Sequence, residues 1–390
     1  MNKICIYAIA KDESENVAKW LDSMQEADYI VVLDTGSTDN TVELLKNDPR
    51  VTRVEQQIID PWRFDVARNE SMKLCPEDAN ILVSTDFDEL FEPGWADKMR
   101  ELWVDGDTTR LHYTYAWSHN DLGEPQDVFI YDKAHTRDYH WIFPVHEVLY
   151  PLEPQTFVEH MVDAGRSVYL HHYQDKEKPR RYYFELLETG VQENPGNSHV
   201  SMLLAREYFL QKRYDEAYEK YLDCLNMPEI REPYRKLVLL ETIGKLGDLC
   251  TIKQDYDKAI EYYNMFIKED KTYREPYFCM GEIYNQRGMY AMAKAIVELG
   301  IKESYQHFDW VERKDNWLNK ADDILAVSDY YLGDIDSALQ HGAVSARHNP
   351  NDIRILKNYI VFLEEKLRNI QAELQPQENE EIEEKKEESE

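Results

Sequence analysis

Short apolar runs alternate with amphipathic helical segments over the first 84 residues, and this alternation limits the fold more than any other feature of the chain. Ile4 to Ala10 is an uncharged run, and it is followed by apolar residues at helical spacing, Val17, Trp20, Leu21 and Met24. Two further cycles follow. Such alternation is typical of an α/β, Rossmann-like domain with a mostly parallel sheet, whose ligands lie at the carboxyl ends of the strands.

The second half of the chain carries a different pattern. Strand signals cease beyond Lys176, and helix is predicted from there to about Arg368. Four times a small residue is followed twelve positions later by alanine, at Ala205/Ala217, Gly247/Ala259, Gly281/Ala293 and Ala326/Ala338. Small residues at this spacing let two antiparallel helices approach closely across a tight turn. The pattern resembles tetratricopeptide (TPR) repeats and predicts an all-α, TPR-like helical repeat domain.

These patterns predict three segments: an α/β domain over residues 1–175, the repeat domain over 176–368, and an acidic, disordered tail over 369–390. From Pro376 to Glu390 the tail holds eight Glu against two Lys. A composition of this kind is typical of a solvated chain end, because it offers almost no apolar surface to bury.

The net charge and the cysteine pattern limit the classes of binding partner and the cellular location that we expect. A formal net charge of -31 argues against a groove that neutralises nucleic acid and against adsorption to an anionic membrane. A small phosphorylated ligand would need a cation to screen the repulsion. The five cysteines lack CxxC spacing, and the uncharged N-terminal run is too short for a signal or a spanning helix. We therefore expect a cytoplasmic protein without membrane insertion.

One pair of acidic residues follows a buried strand. Asp86 and Asp88 flank Phe87 directly after the apolar run ending at Ser84. In an extended chain, residues two apart share a face, so the two carboxylates are expected to point together. Such a pair favours a proton or a cation between its members, and a hard cation such as Mg²⁺ or Mn²⁺ fits oxygen ligands best. The other Asp-x-Asp sequences of the chain fall in predicted turns.

Four ordered motifs carry a family resemblance. The segments Ile4 to Glu13, Val31 to Thr41, Arg63 to Asn69 and Ser84 to Glu89 resemble those of family-2 glycosyltransferases with the GT-A fold, some bacterial members of which have helical repeats behind the transferase domain. The resemblance covers about residues 1–175. It departs at Asp12-Glu13, where the family often has Asn-Glu.

The resemblance implies a set of ligand contacts. Nucleotide-sugar contacts are implied at Ala8, Lys11, Glu13, Asp34, Arg68 and Asp86, and metal contacts with Mn²⁺ or Mg²⁺ are implied at Asp86, Asp88 and His172, with His171 as the alternative. Asp34 would hold the base, usually uracil, or else cap the turn at Gly36 and Ser37. Arg68 would reach the nucleotide or diphosphate, or else form a surface salt bridge.

A catalytic base is also needed, because the acceptor hydroxyl must lose a proton. Glu147 resembles the acidic catalytic position of GT-A enzymes, with His146 beside it. Asp121, Asp127 and Asp132 are the rival bases. Five aromatic residues nearby are predicted to form either a sugar-stacking wall or part of the core: Tyr115, Trp117, Tyr139, Trp141 and Phe143.

The expected function is metal-dependent, inverting transfer of a sugar from a nucleotide-sugar donor, typically UDP-linked, to a hydroxyl of a protein, peptide or glycan acceptor. The repeats would position the acceptor or form a homodimer. One alternative is a non-catalytic TPR-type scaffold with a degenerate transferase domain. Another is a sugar nucleotidyltransferase, which usually has a glycine-rich loop near its N-terminus, whereas Ala8 to Asn16 contains no glycine.

Overall fold

The chain forms two compact units, Met1–Lys212 and Arg213–Glu390. The computed structural model describes residues 2–119, 123–125, 127–173, 183–307, 309, 311, 313 and 315–387. The predicted boundary at residues 175 and 176 lies outside the described residues. The first unit continues past that boundary and includes helices between residues 183 and 210.

Eleven strands and six α-helices make up the described part of the first unit. Their bounds are β1 Ile4–Ala10, α1 Val17–Met24, β2 Tyr29–Asp34, α2 Thr41–Asn47, β3 Arg53–Gln56, α3 Phe64–Met72, β4 Ile81–Ser84, β5 Glu89–Phe91, α4 Trp95–Leu102, β6 Arg110–Ala116, β7 Val128–His135, β8 Tyr139–Ile142, β9 Val148–Pro151, β10 Met161–Asp163, β11 Tyr169–His172, α5 Tyr183–Glu193 and α6 Ser198–Leu210. The elements from β1 to β4 follow the predicted alternation.

The main sheet is mixed, which corrects the prediction of a mostly parallel sheet. Its order is β3-β2-β1-β4-β7-β6-β11-β5, with β10 beside β6. Strands β1 to β4 pair in parallel, but β7 is antiparallel to both β4 and β6, and β5 is antiparallel to β11. The reason is the return of β7 against β6 and its insertion next to β4, which the strand–helix alternation of the first 84 residues does not reveal.

Alternate residues of β1 enter two different cores. Ile4 and Ile6 pack in a cluster with Trp20 of α1, whereas Cys5 and Tyr7 pack with Trp141 of β8. All four β1 side chains are fully buried. A central strand that is covered on both faces is a continuous apolar run, as expected from its sequence.

The second unit is helical, as predicted. Its α-helices are α7 Tyr214–Leu225, α8 Lys236–Ile252, α9 Tyr256–Glu269, α10 Glu275–Gln286, α11 Tyr290–Glu303, α12 Asp315–Leu318, α13 Lys320–Leu332, α14 Ile335–His348 and α15 Ile353–Glu387. Three antiparallel hairpins, α8/α9, α10/α11 and α13/α14, are each closed by a turn with one left-handed residue, Gln254, Gly288 and Gly333 respectively. The tail predicted to be disordered is helical as far as Glu387, in keeping with the high helix propensity of Glu and Lys.

Small residues bring paired helices together at the predicted positions. A Cβ atom on Gly247 of α8 would lie 2.5 Å from the ring of Tyr263 in α9, and one on Gly281 of α10 would lie 2.5 Å from Val297 in α11. Ala259 is fully buried. The spacing of twelve residues therefore marks true helix–helix contacts. No described helix is long and apolar enough to cross a bilayer.

Candidate functional site

The candidate site begins where β4 ends. The chain leaves the strand at Ser84, and the backbone NH of Glu89 donates to the carbonyl of Asp86 at 3.0 Å, closing a turn. Phe87 is buried and stacks on Trp20 with ring centroids 4.3 Å apart. Asp86 and Asp88 thus flank the buried Phe87 in a turn and not at the end of an extended strand.

Arg68 joins two of the predicted acidic residues. It lies on the buried side of α3, and its Nη2 donates to both oxygens of Asp86 at 3.0 Å while its Nε donates to Glu147. Nη1 donates to the Ser84 hydroxyl at 3.0 Å. Burial alone would lower the pKa of Arg68, but the two carboxylates outweigh it and raise the pKa well above its usual value. Arg68 is thus a buried, permanently charged anchor.

Lys133 and Glu89 extend this network, and the sequence analysis missed both. Lys133, on β7, places Nζ 3.7 Å from Asp86 and 3.6 Å from Glu89. Burial raises the pKa of Glu89, and one Glu89 oxygen accepts from the Asp86 backbone NH at 2.9 Å. Burial favours a higher pKa for Asp86 as well, but Arg68 and Lys133 hold it below the usual range. In the sequence, Lys133 could have been noticed as a lone lysine in an aromatic strand, and Glu89 as an acidic residue next to the Asp-x-Asp motif.

Asp88 faces His172 at the end of β11. The His172 Nε2 atom lies 3.4 Å from Asp88, and Nδ1 donates to the carbonyl of Trp117 at 3.2 Å. Burial lowers the pKa of His172, but the hydrogen bond and charge of Asp88 outweigh it, so the pKa is raised. His171, the alternative, faces the other way and contacts Glu92 at 2.9 Å. The structure thus brings His172, and not His171, to Asp88.

The side chains of Glu147 and His146 diverge. Both lie in the link between β8 and β9, and Glu147 is nearly buried against Arg68. His146 is exposed, has a backbone φ of 51°, and its ring lies edge-on to Tyr183 with centroids 5.8 Å apart. The acidic member of the predicted catalytic pair therefore joins the network, while the histidine ring lies against Tyr183.

The remaining nucleotide-sugar residues lie in β1, β2 and the loop after β1. Asp34 is fully buried and accepts from the backbone NH groups of Gly36 and Ser37 at 3.2 Å, which is the turn-capping alternative. Ala8 is fully buried within β1, Lys11 is exposed, and the Glu13 backbone NH donates to Thr41 at 2.7 Å while its carboxylate accepts from Asn16. A base contact by Asp34 stays a prediction.

Most of the predicted aromatic wall is core. Tyr115, Tyr139, Trp141 and Phe143 are buried, whereas Trp117 is 39% exposed and its ring centroid lies 4.7 Å from that of His172. Of the rival bases, Asp127 accepts from Ser118 and Asp132 pairs with Arg110 at 3.2 Å. Asp121 lies outside the described residues.

Seven side chains thus form the strand-end cluster, a name used here for Arg68, Asp86, Asp88, Glu89, Lys133, Glu147 and His172. Within the part of the chain that the structure describes, no group of three or more His, Cys, Asp or Glu side chains is placed to hold a metal ion. Asp86 faces two cations instead. The facing atoms of Asp88 and His172 are 3.4 Å apart, and these two side chains are the ones that would hold a divalent ion, since Mg²⁺ is often bound by few protein ligands beside phosphate and water.

Comparison with known proteins gives little beyond the geometry. No family model matches the chain, and no curated protein matches its sequence. Among solved structures, PilF of Pseudomonas aeruginosa has 18% identity and a TM-score of 0.37, covering 46% of this chain and 72% of its own. The TPR protein YrrB has 12% identity and a TM-score of 0.36, covering 46% and 83%. A TPR protein of Parabacteroides merdae has 17% identity and a TM-score of 0.37, covering 48% and 67%.

Proposed function

We propose that the protein is a metal-dependent glycosyltransferase with a GT-A-type first unit, moving a sugar from a UDP-linked donor to a hydroxyl of a protein, peptide or glycan acceptor. The observation that carries the proposal is the strand-end cluster. Four predicted sites that are distant in sequence, at Arg68, Asp86 with Asp88, Glu147 and His172, meet at the carboxyl end of β4. Open α/β sheets bind their ligands at the carboxyl ends of their strands. An adjacent, half-exposed Trp117 offers a surface on which a sugar ring can stack.

The charge of the cluster suits a metal-bound diphosphate. Three of its four carboxyl groups, Asp86, Glu89 and Glu147, pair with the two fixed cations Arg68 and Lys133. The fourth, Asp88, faces His172, so carboxyl groups outnumber the fixed cations of the cluster. A divalent ion at Asp88 and His172 would supply the charge that a departing diphosphate needs. Arg68 and Lys133 hold Asp86 in place beside that pair. Asp86 is then assigned to orientation of the donor and not to the metal.

Glu147 is proposed as the base that accepts the proton of the acceptor hydroxyl. Arg68 fixes its orientation through Nε, and its side chain is only 10% exposed, so the acceptor proton would be transferred away from bulk water. His146 is not proposed in this role, because its ring is exposed and lies against Tyr183. The helical hairpins of the second unit are proposed to bind the acceptor.

The alternative is a non-catalytic scaffold, and one observation favours it. Arg68 satisfies Asp86 and Glu147 without any ligand, as structural ion-pair networks do. In that case the helical hairpins would carry the function by binding a protein partner.

A donor panel separates the two functions. Slow hydrolysis of each nucleotide sugar would be measured with Mn²⁺ for the wild type, Asp88→Ala and Asp257→Ala. Asp257 belongs to another Asp-x-Asp sequence and its side chain is 84% exposed, so it is the matched control. We expect hydrolysis of at least one donor by the wild type and the control, and a loss of about a hundredfold or more in Asp88→Ala. Equal rates in all three proteins, or no hydrolysis of any donor, would favour the scaffold.

A further inference from the structure

Among the described residues, one face of helix α15 packs on α14 and, through Phe362 and Tyr330, on α13. Ile355 and Phe362 are buried, and Phe362 forms a small core with Ala338 of α14. A Cβ atom on Gly342 of α14 would lie 3.0 Å from the ring of Tyr359. These α15 residues recur at helical spacing and define its inner face.

A second apolar stripe runs along α15 about a quarter turn away from the inner face. Its six exposed members are Ile353, Ile360, Leu363, Leu367, Ile370 and Leu374, each between 41% and 67% exposed. Leu356, half-buried, completes the series. The spacing alternates between three and four residues over three heptads, which is the pattern of a helix that packs against another helix.

The charged residues beside the stripe on one helix are complementary to the same residues on a second, antiparallel copy of that helix. Lys357 and Glu364 lie seven residues apart on the side of the stripe that faces away from α14. On the other side, Lys366 already pairs with Asp336 of α14 at 2.7 Å. When two such helices run antiparallel, the outer flanks of both face each other, so Lys357 of each copy would meet Glu364 of the other.

We propose that α15 pairs with α15 of a second copy of this chain as an antiparallel coiled coil. In this alignment Ile360 packs near Leu363 of the second copy, and Leu356 packs near Leu367. The arrangement is two-fold symmetric, with the same surface on both sides, which is the usual form of a homodimer interface. Self-complementary charge is the reason to assign the stripe to a second copy and not to an unrelated helix.

The oligomeric state of the full chain tests the proposal. Light scattering during gel filtration would be measured at micromolar concentration and 0.15 M salt, where repulsion between the acidic chains is screened. We expect twice the 46.3 kDa chain mass for the wild type. Leu363→Glu should raise the dimer dissociation constant about a hundredfold. Val361→Glu, at a residue 41% exposed but outside the stripe, should leave it unchanged.

A charge exchange tests the direction of the helices. Glu364→Lys places two lysines together at both symmetry-related contacts of the antiparallel interface and should weaken the dimer, and Lys357→Glu in addition should restore it. A monomeric wild type, a dimer indifferent to Leu363→Glu, or equal weakening by Val361→Glu would overturn the proposal. So would a dimer that Glu364→Lys leaves unchanged, since a parallel pair brings these two residues nowhere near each other. Circular dichroism of each variant shows that the helices are intact.

Discussion

A buried chain of hydrogen bonds links three side chains behind the strand-end cluster. The indole NH of Trp141 donates to the Tyr7 hydroxyl at 2.8 Å, and that hydroxyl lies 2.7 Å from Nε2 of His135. Nδ1 of His135 lies 2.6 Å from the carbonyl of Thr136. A neutral ring with its proton on Nδ1 satisfies both contacts, and burial lowers the pKa of His135 to about 3.

This histidine makes the first unit sensitive to acid. Below pH 6.5 the unfolded chain binds a proton at His135 that the folded chain does not bind until about pH 3, so stability falls as the pH is lowered through this range. The expected contribution is about 2 kcal/mol lost at pH 5. His135→Gln should flatten the dependence of the thermal midpoint on pH between 7 and 4. Parallel curves for the two proteins would contradict the assignment.

A second residue-scale prediction concerns Lys133 and Glu89. Both are buried and lie 3.6 Å apart, and removing one partner of a buried ion pair leaves the other uncompensated. Lys133→Met should therefore lower the free energy of unfolding by about 3 kcal/mol, with much of the loss recovered when Glu89→Gln is added. Urea denaturation of the single and double variants measures the pair. Additive losses would show that the two groups act independently.

At the scale of elements, close contact in the hairpins depends on glycine. The Tyr263 ring beside Gly247 is held by a hydrogen bond that its hydroxyl donates to Asp248 at 3.0 Å and by a contact between that hydroxyl and the Thr251 hydroxyl at 3.3 Å, so it has little freedom to move aside. Gly247→Ala should destabilise the second unit by about 1–3 kcal/mol. Gly244→Ala is the control in the same helix, because its nearest neighbour, Phe266, lies 3.5 Å away.

The control should have the opposite effect. Replacing a helical glycine by alanine where the new methyl group makes only ordinary contacts, as at Gly244, gains up to about 1 kcal/mol. Thermal unfolding followed by circular dichroism gives both values. Destabilisation of equal size in the two variants would mean that helix α8 tolerates no larger residue at all, and that the close approach to Tyr263 is not the cause.

The sequence predicted the elements well where periodicity decides them. β1 has the bounds of the predicted apolar run, Ile4–Ala10, because a fully buried strand leaves a clear pattern. The antiparallel insertion of β7 was missed. β7 pairs with β4, which is distant in sequence, and local patterning carries no information on such a partner.

The candidate site was predictable in part for the same reason. The motifs identified Arg68, Asp86 and Asp88, but the partnership of Arg68 with Glu147 spans 79 residues and follows from the fold alone. No sequence motif marked Lys133 as a site residue. Asp34 shows the limit of motif reasoning, since the same carboxylate serves a local turn in the structure.

At the scale of the whole molecule, an excess of 31 negative charges repels a nucleotide diphosphate unless a cation accompanies it. Calorimetric binding of UDP with Mn²⁺ and with a chelator, to the wild type, Asp88→Asn and the control Asp257→Asn, tests this requirement most directly. We predict binding by the wild type and the control only with Mn²⁺, and at least tenfold weaker binding by Asp88→Asn. No binding of UDP by the wild type, or affinity that is the same without Mn²⁺ or without the Asp88 carboxylate, would contradict the account.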